Sequence, residues 1–251
     1  MSSERQLLNK RDPWWGEHIH RYNEVLKYVR ANDVILDIAC GTGFGSQILA
    51  RHTKGAVTGG DIAEDAVKEC KRNWQQPNLD FKVLDGTQLP YSDEYFDIVV
   101  SFETIEHTTL YWKMIKEFFR VLKQGGTALI STPNFPINSP TGKVTNPYHT
   151  QEFDYNELSQ ILNSVFSSVK IEGQQFNRYN KKNFSTFMAR LNYAFFNIIG
   201  IRKFTPFKIK NYFSKLFSGY PFYPTPSDFV LVDEREEIIK CKTFFCICKK
   251  H

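Results

Sequence analysis

Two periodicities alternate along the chain. Short apolar runs recur at 34–38, 56–60, 81–84, 96–102 and 127–131, each the length of a strand buried on both faces. Between them, apolar residues fall three and four apart. Residues 17–30 put Ile19, Tyr22, Val25, Leu26 and Val29 on one helical face, and 44–51, 63–74 and 110–122 repeat the pattern. The last of these helices stops ahead of the Gly125–Gly126 pair. Strands alternating with helices at this spacing predict βαβ units and a parallel sheet with helices on both faces. Such sheets take ligands at the carboxyl ends of their strands. Farther on, 153–162 predicts a helix, 165–171 a strand, and KTFFCICK (242–249) a closing strand.

Composition changes this picture in one segment. With 251 residues, 41% hydrophobic and 24% charged, the chain is ordinary globular material for one large α/β domain, with or without an insertion. The net charge of +5 is modest but unevenly placed. From 173 to 227 there is no acidic residue, against nine Lys or Arg and fifteen aromatics. This stretch predicts an insertion before the last strand. The first residues, MSSERQLLNKRDPWW, lack a secretory apolar core, and no run of eighteen apolar residues occurs. Five cysteines without framework spacing predict reduced thiols and a cytoplasmic setting. Cys241, Cys246 and Cys248 lack a fourth ligand and the usual ligand spacing, so core packing is expected of them. No Asp/His cluster points to a metal, and none is expected.

The stretch LDIACGTGFG (36–45) follows the first strand and opens a helix. Glycines there let the backbone approach a ligand, and the helix start offers free N–H groups. A dinucleotide loop reads GxGxxG, but position 46 is Ser; a Walker loop is absent. The acids discriminate further. Asp37 beside the loop would repel a pyrophosphate and attract an ammonium or sulfonium. Asp61, Asp85 and Glu103 follow strands two, three and four. Asp61 stands where an acid accepts both ribose hydroxyls, and Asp85 with Gly86 could meet an adenine amino group. Any one acid is equally readable as a helix cap or an exposed loop end. Four at successive strand ends favour a cofactor with positive charge, ribose and base but no phosphate, a description that S-adenosylmethionine fits better than NAD.

On VILDIACGTGFG (34–45), VTGGDI (57–62), VLDGTQLPYSDEYFDIVVSFETIEH (83–107) and RVLKQGGTALISTPN (120–134), the chain resembles the class I S-adenosylmethionine-dependent methyltransferases. The resemblance covers 34–134, with Ala39 where that family has Gly. It implies a Rossmann-like α/β fold whose seven-stranded, mostly parallel sheet runs 3-2-1-4-5-7-6, strand seven antiparallel. It implies that Asp37, Ala39, Gly41 and Gly43 lie along the methionine part of S-adenosylmethionine. Asp61 and Ile62 would hold ribose and adenine, Asp85 and Gly86 the adenine, and Glu103 would sit near the methionine end. S-adenosylhomocysteine would be the product. ERQLLNK (4–10), HIHRY (18–22) and NPYHTQEFDYNEL (146–158) are similar to small-molecule methyltransferases of glycan assembly. The expected organisation is one methyltransferase domain over 1–251, with residues 1–30 as a lid from which Arg21 reaches the cofactor carboxylate, and 173–227 on the acceptor side.

Methyl transfer to a hydroxyl profits from a general base. His107 follows strand four; His149 follows strand five with Glu152 three residues on. Glu106 or Glu152 could orient either imidazole. The competing reading is that His107 packs at a helix start and His149 pins a loop. The basic aromatic segment admits several roles: a cap that holds an anionic, sugar-type acceptor such as a nucleotide sugar; a contact with an anionic membrane surface at a lipid-linked or quinone-type acceptor; an RNA contact, which the rest of the chain does not support; or a satellite core or dimer interface. N-methylation of an amino sugar is the nearest chemical variant, and a non-catalytic cofactor-binding module is the non-enzymatic rival.

Overall fold

The computed structural model describes residues 15–177 and 223–251, with positions 206, 208, 209, 211, 212, 215 and 221. Residues 1–14 of the expected lid region 1–30, and most of the insertion 173–227, lie outside the described residues. Contacts divide the described chain into two units, residues 21–175 with 231–251 and residues 15–20 with 176–230.

The elements run α1 (Trp15–Val25), β1 (Ile35–Ile38), α2 (Phe44–Ala50), β2 (Val57–Asp61), α3 (Glu64–Asn73), β3 (Leu79–Val83), β4 (Phe96–Phe102), α4 (Tyr111–Val121), β5 (Leu122–Pro133), α5 (Phe135–Asn138), α6 (Tyr155–Asn163), β6 (Ser168–Phe176), β7 (Phe229–Val232), α7 (Arg235–Ile238) and β8 (Thr243–Lys249). They form one sheet in the order β3-β2-β1-β4-β5-β8-β6-β7. Strands β1 to β5 pair in parallel, whereas β8 is antiparallel to both β5 and β6. The expected order is present, with KTFFCICK as the inserted antiparallel strand. The sheet has eight strands rather than seven because the four-residue β7 adds an edge.

All four residues of β1 are buried, and only Phe102's neighbour Glu103 breaks the burial at the end of β4. The main core joins Leu36, Val99 and Ile130 from the sheet to Phe118 of α4, Leu158 of α6 and Phe244 of β8. Sequence explains the boundaries. Asp154 accepts from the N–H groups of Asn156 and Glu157 while Glu157 accepts from the Asp154 N–H, and α6 starts there. Helix α1 ends at Val25 rather than 30, since Lys27 and Tyr28 donate to the carbonyls of Glu24 and Val25, tightening the chain into turns. Strand β5 starts at Leu122 rather than 127 and carries Gly125 at φ 74. The cysteines are all buried and free, as expected of core residues. No described helix is long and apolar enough to cross a membrane.

In the smaller unit, Phe229 stacks on Phe176 at 4.7 Å and lies 6.0 Å from His20, ring to ring. Buried Asp228 accepts from Lys215 at 2.7 Å and from the Thr225 N–H at 2.7 Å.

Gly45 shows packing overruling propensity. It lies inside α2, where alanine would ordinarily stabilise by about 1 kcal/mol. A Cβ there would stand 1.8 Å from the Tyr22 ring, and that ring is held by its hydroxyl on Asp37 at 3.0 Å. Overpacking of this kind costs about 1–3 kcal/mol. Gly45→Ala should therefore lose about 1–2 kcal/mol in urea unfolding; a stabilised variant would contradict the packing account.

Candidate active site

The loop after β1 is held from two sides. Trp74 Nε1 donates to the Thr42 carbonyl at 2.8 Å and the Cys70 thiol to the Gly41 carbonyl at 3.2 Å. Gly41 and Gly43 occupy the left-handed region at φ 57 and 75. A Cβ on Gly43 would meet Phe81 and Cys70, while one on Gly41 would meet no heavy atom within 4 Å. The Gly41 face is therefore open to a ligand. Ala39 is left-handed too, at φ 60, which accounts physically for glycine at the matching family position.

The acids at the strand ends play different parts. Asp61 ends β2; its Oδ2 accepts the Gly41 N–H at 3.0 Å and its Oδ1 the Ala63 N–H at 2.9 Å. Each oxygen keeps a second lone pair. The adjoining Ile62 is 72% exposed, a large apolar side chain standing in solvent beside the loop. Asp85 is exposed and accepts from the Thr87 N–H and hydroxyl, both at 2.8 Å. Gly86 packs against Met114 and Ile38. Glu103, at φ 50, accepts the Ser131 hydroxyl at 2.7 Å.

Asp37 and Arg21, both expected at the cofactor, are buried against protein partners. Asp37 is 1% exposed, and the hydroxyls of Tyr22 and Ser46 donate to it at 3.0 and 2.6 Å. Burial pushes its carboxyl up to about 7 against those hydrogen bonds. Arg21 is buried; it donates to Gln174 Oε1 at 2.9 Å and pairs with Glu103 at 3.5 Å. The Tyr22, Ser46, Ser131 and Gln174 partners carry no signal of their own in the sequence, because ordinary residue types acquire these roles only through the fold.

A second cluster lies just past β4 and β5. A 3-10 turn, Ile105–His107, carries Glu106 and His107. The loop 146–152 is tied to that turn: the Thr150 N–H donates to the Glu106 carbonyl at 2.8 Å, and the Gln151 amide to the carbonyls of Ile105 and Thr108 at 2.9 and 2.7 Å. This brings the His107 and His149 rings to 4.9 Å, edge to face. Glu152 Oε1 lies 2.7 Å from His149 Nδ1, and Ser139 donates to its Oε2 at 2.8 Å. The expected His149–Glu152 pairing is thus present. The Glu106–His107 pairing is not a hydrogen bond: Glu106 Oε1 stands 4.0 Å from His107 Nε2, and the Tyr148 carbonyl, 3.0 Å from Nδ1, orients that ring. Burial, then the charge of Glu103, pushes the Glu106 carboxyl well above the ordinary carboxylate range. The expectation of no metal-type cluster also needs correction. Donor atoms of Glu106, His107 and His149 all lie within 4.8 Å of one another, since residues distant in sequence meet at the ends of adjacent strands.

The parallel sheet, the open glycine loop and the carboxylates beyond β1 to β4 are those of a nucleoside-cofactor-binding α/β protein. Residues 36–130 match the family described as Methyltransferase domain. A Mycolicibacterium smegmatis protein named "Probable S-adenosylmethionine-dependent methyltransferase" is 33% identical over 174 residues, 68% of this chain and 66% of that one. A Mycobacterium ulcerans protein named phthiotriol/phenolphthiotriol dimycocerosates methyltransferase 1 is 33% identical over 115 residues, 45% of this chain and 42% of that one. The chain therefore spans just under two thirds of the first relative and less than half of the second. Among solved structures, the [4+2]-cyclase SpnF matches with a TM-score of 0.58 at 18% identity, covering 97% of this chain and 85% of that one. That likeness carries the fold, not the reaction. The segment 36–130 is thus similar to a methyltransferase domain, and the name of the Mycolicibacterium smegmatis relative gives S-adenosylmethionine as that protein's methyl donor.

Two stability measurements follow from the loop. Relief of left-handed strain at Ala39 is worth about 1–2 kcal/mol, offset by about 0.4–1 kcal/mol of unfolded-chain entropy. Ala39→Gly should therefore stabilise by about 0.5 kcal/mol in urea unfolding. Asp37 is raised from 3.8 to about 7 in the folded chain, so the unfolded state sheds its proton first. The stability contributed by neutral Asp37 is full below about pH 3.8 and is lost as pH rises to about 7. Asp37→Asn should remove that decline; an unchanged slope between pH 4 and 7 would count against it.

Proposed function

We propose that this protein transfers a methyl group from S-adenosylmethionine to a hydroxyl of a small, anionic, carbohydrate-type acceptor, such as a nucleotide sugar or glycan precursor. The observation that supports the transfer is the open face of Gly41, whose N–H donates to Asp61 at the end of β2. The residues fit the cofactor. The spare lone pairs of Asp61 would accept from ribose hydroxyls, exposed Ile62 and Asp85–Gly86 would frame the adenine, and Glu103 would give negative potential for a cationic methionine end, beside which buried Asp37 would ionise more readily. When bound, the cofactor supplies an electrophilic methyl on a sulfonium.

The chain positions the acceptor and prepares its oxygen. The cluster of Glu106, His107, His149 and Glu152 is the group proposed to activate that oxygen, with Glu152 fixing the His149 ring. The charge and rings of 173–227 support an anionic sugar acceptor, because guanidinium and ammonium groups suit phosphate and aromatics stack on sugars or bases. A lipid-linked acceptor at a membrane surface is the second reading. The name of the Mycobacterium ulcerans relative and the mixed basic and apolar run FMARLNYAFFNIIGIRKF (187–204) favour it. Nucleic acid is not proposed as a partner.

Methyl-labelled S-adenosylmethionine, offered with nucleotide sugars in one tube and a membrane lipid extract in another, separates the acceptors. Asp61→Ala should weaken S-adenosylhomocysteine binding at least about tenfold, from lost hydrogen bonds of roughly 1.5–3 kcal/mol. Failure of the wild type to bind it would reduce the chain to a non-catalytic module. His149→Ala should keep that binding and lose about 10²-fold or more in turnover; near-normal turnover removes His149 from the mechanism.

A further inference from the structure

We infer that Glu106, His107 and His149 bind a divalent transition-metal ion of the zinc class beside the methyl-transfer site. This deepens the proposed methyl transfer and rests on it for the ion's role, though not for its binding. Three observations carry it.

First, one donor atom from each residue lies within 4.8 Å of the others. Donors on one tetrahedral ion with bonds near 2.1 Å are roughly 3.4 Å apart, so the site closes on an ion by about an ångström. Second, Glu106 is 0% exposed, and its Oε1 has no hydrogen-bond partner among the described residues. That oxygen is directed to the cluster, 4.0 Å from His107 Nε2. An orphaned buried carboxylate oxygen is costly, and a cation answers it. Third, every donor has an outer hydrogen bond that sets its orientation. The Tyr148 carbonyl 3.0 Å from His107 Nδ1 requires a proton there, which makes Nε2 the ligating nitrogen. Glu152 does the same for His149 at 2.7 Å, and an ion would replace the Asn146 amide, 2.9 Å from His149 Nε2. Thr132 donates to Glu106 Oε2 at 2.9 Å. Carboxylate–histidine–metal chains of this type fix tautomer and ring orientation.

The donor set selects the ion. Two imidazoles and a carboxylate suit zinc, cobalt or iron; magnesium and calcium prefer all-oxygen shells. Three protein ligands leave a position open, and the His107 side chain is 32% exposed, so the open side reaches solvent. An acceptor hydroxyl placed there ionises more readily and releases its proton to solvent. Its oxygen then forms the O–CH3 bond as the S–CH3 bond breaks, and the sulfonium charge disappears into the neutral thioether.

The test uses untagged full-length protein dialysed against EDTA. Zn²⁺ is titrated against a chromogenic competitor, and Co²⁺ is added separately to read ligand-field absorption. S-adenosylhomocysteine binding is measured on the same samples. The expected result is one Zn²⁺ per chain, with affinity reduced at least about 100-fold in Glu106→Gln and in His107→Ala. Retained S-adenosylhomocysteine binding certifies the fold of each variant, and partly exposed His107 covers the case in which Glu106→Gln fails to fold. Wild-type protein that binds S-adenosylhomocysteine but no stoichiometric Zn²⁺, or binds Zn²⁺ equally in both variants, overturns the metal site alone. Zn²⁺ binding without S-adenosylhomocysteine binding leaves the site standing and overturns the methyl-transfer reading.

Discussion

The parallel pairing of β1 between β2 and β4 is the constraint on which the rest depends. Ile35 faces Val57 on one side and Ile98 on the other, and the register continues through Asp37 to Gly59 and Val100. Parallel strands bring all their carboxyl ends to one edge. The loop at 39–43, Asp61, Asp85 and Glu103 therefore meet there without any local sequence rule joining them. β5 runs parallel to β4, so Ser131 and Thr132 reach the same edge and anchor Glu103 and Glu106 respectively.

The acids at that edge divide by solvation. Asp61 and Asp85 are partly or fully accessible, and their bonds from the N–H groups of Gly41, Ala63 and Thr87 and from the Thr87 hydroxyl leave lone pairs for uncharged hydroxyl and amino groups. Asp37 and Glu106 are buried, and burial favours their neutral forms. A cation nearby reverses that preference. The same sheet edge thus carries one set of acids open to hydrogen-bonding partners and another whose charge depends on what lies beside it.

The sheet was legible because buried strands and amphipathic helices write their periods locally. The glycine loop was legible for the same reason, as Gly41, Gly43 and Asp61 follow from turn geometry and strand ends. The four-residue β7 was not, since so short an edge strand has no period to read. Nor was the covering of Asp37, whose Tyr22 partner lies 15 residues away on another element, or the seating of Arg21 on Gln174, 153 residues away. Pairing of His149 with Glu152 was visible as adjacent polar residues in one loop. Its meeting with Glu106 depends on tethers from Thr150 and Gln151 across more than 40 positions, which only the fold creates.

Cys70 sits wholly buried on α3 with its thiol donating to the Gly41 carbonyl. A reagent reaches that sulfur only after α3 and the loop part, because the sulfur and the backbone oxygen share one closed contact. The pace at which Cys70 is alkylated under native conditions is consequently a built-in clock for opening of the glycine loop, readable by mass spectrometry without any introduced label.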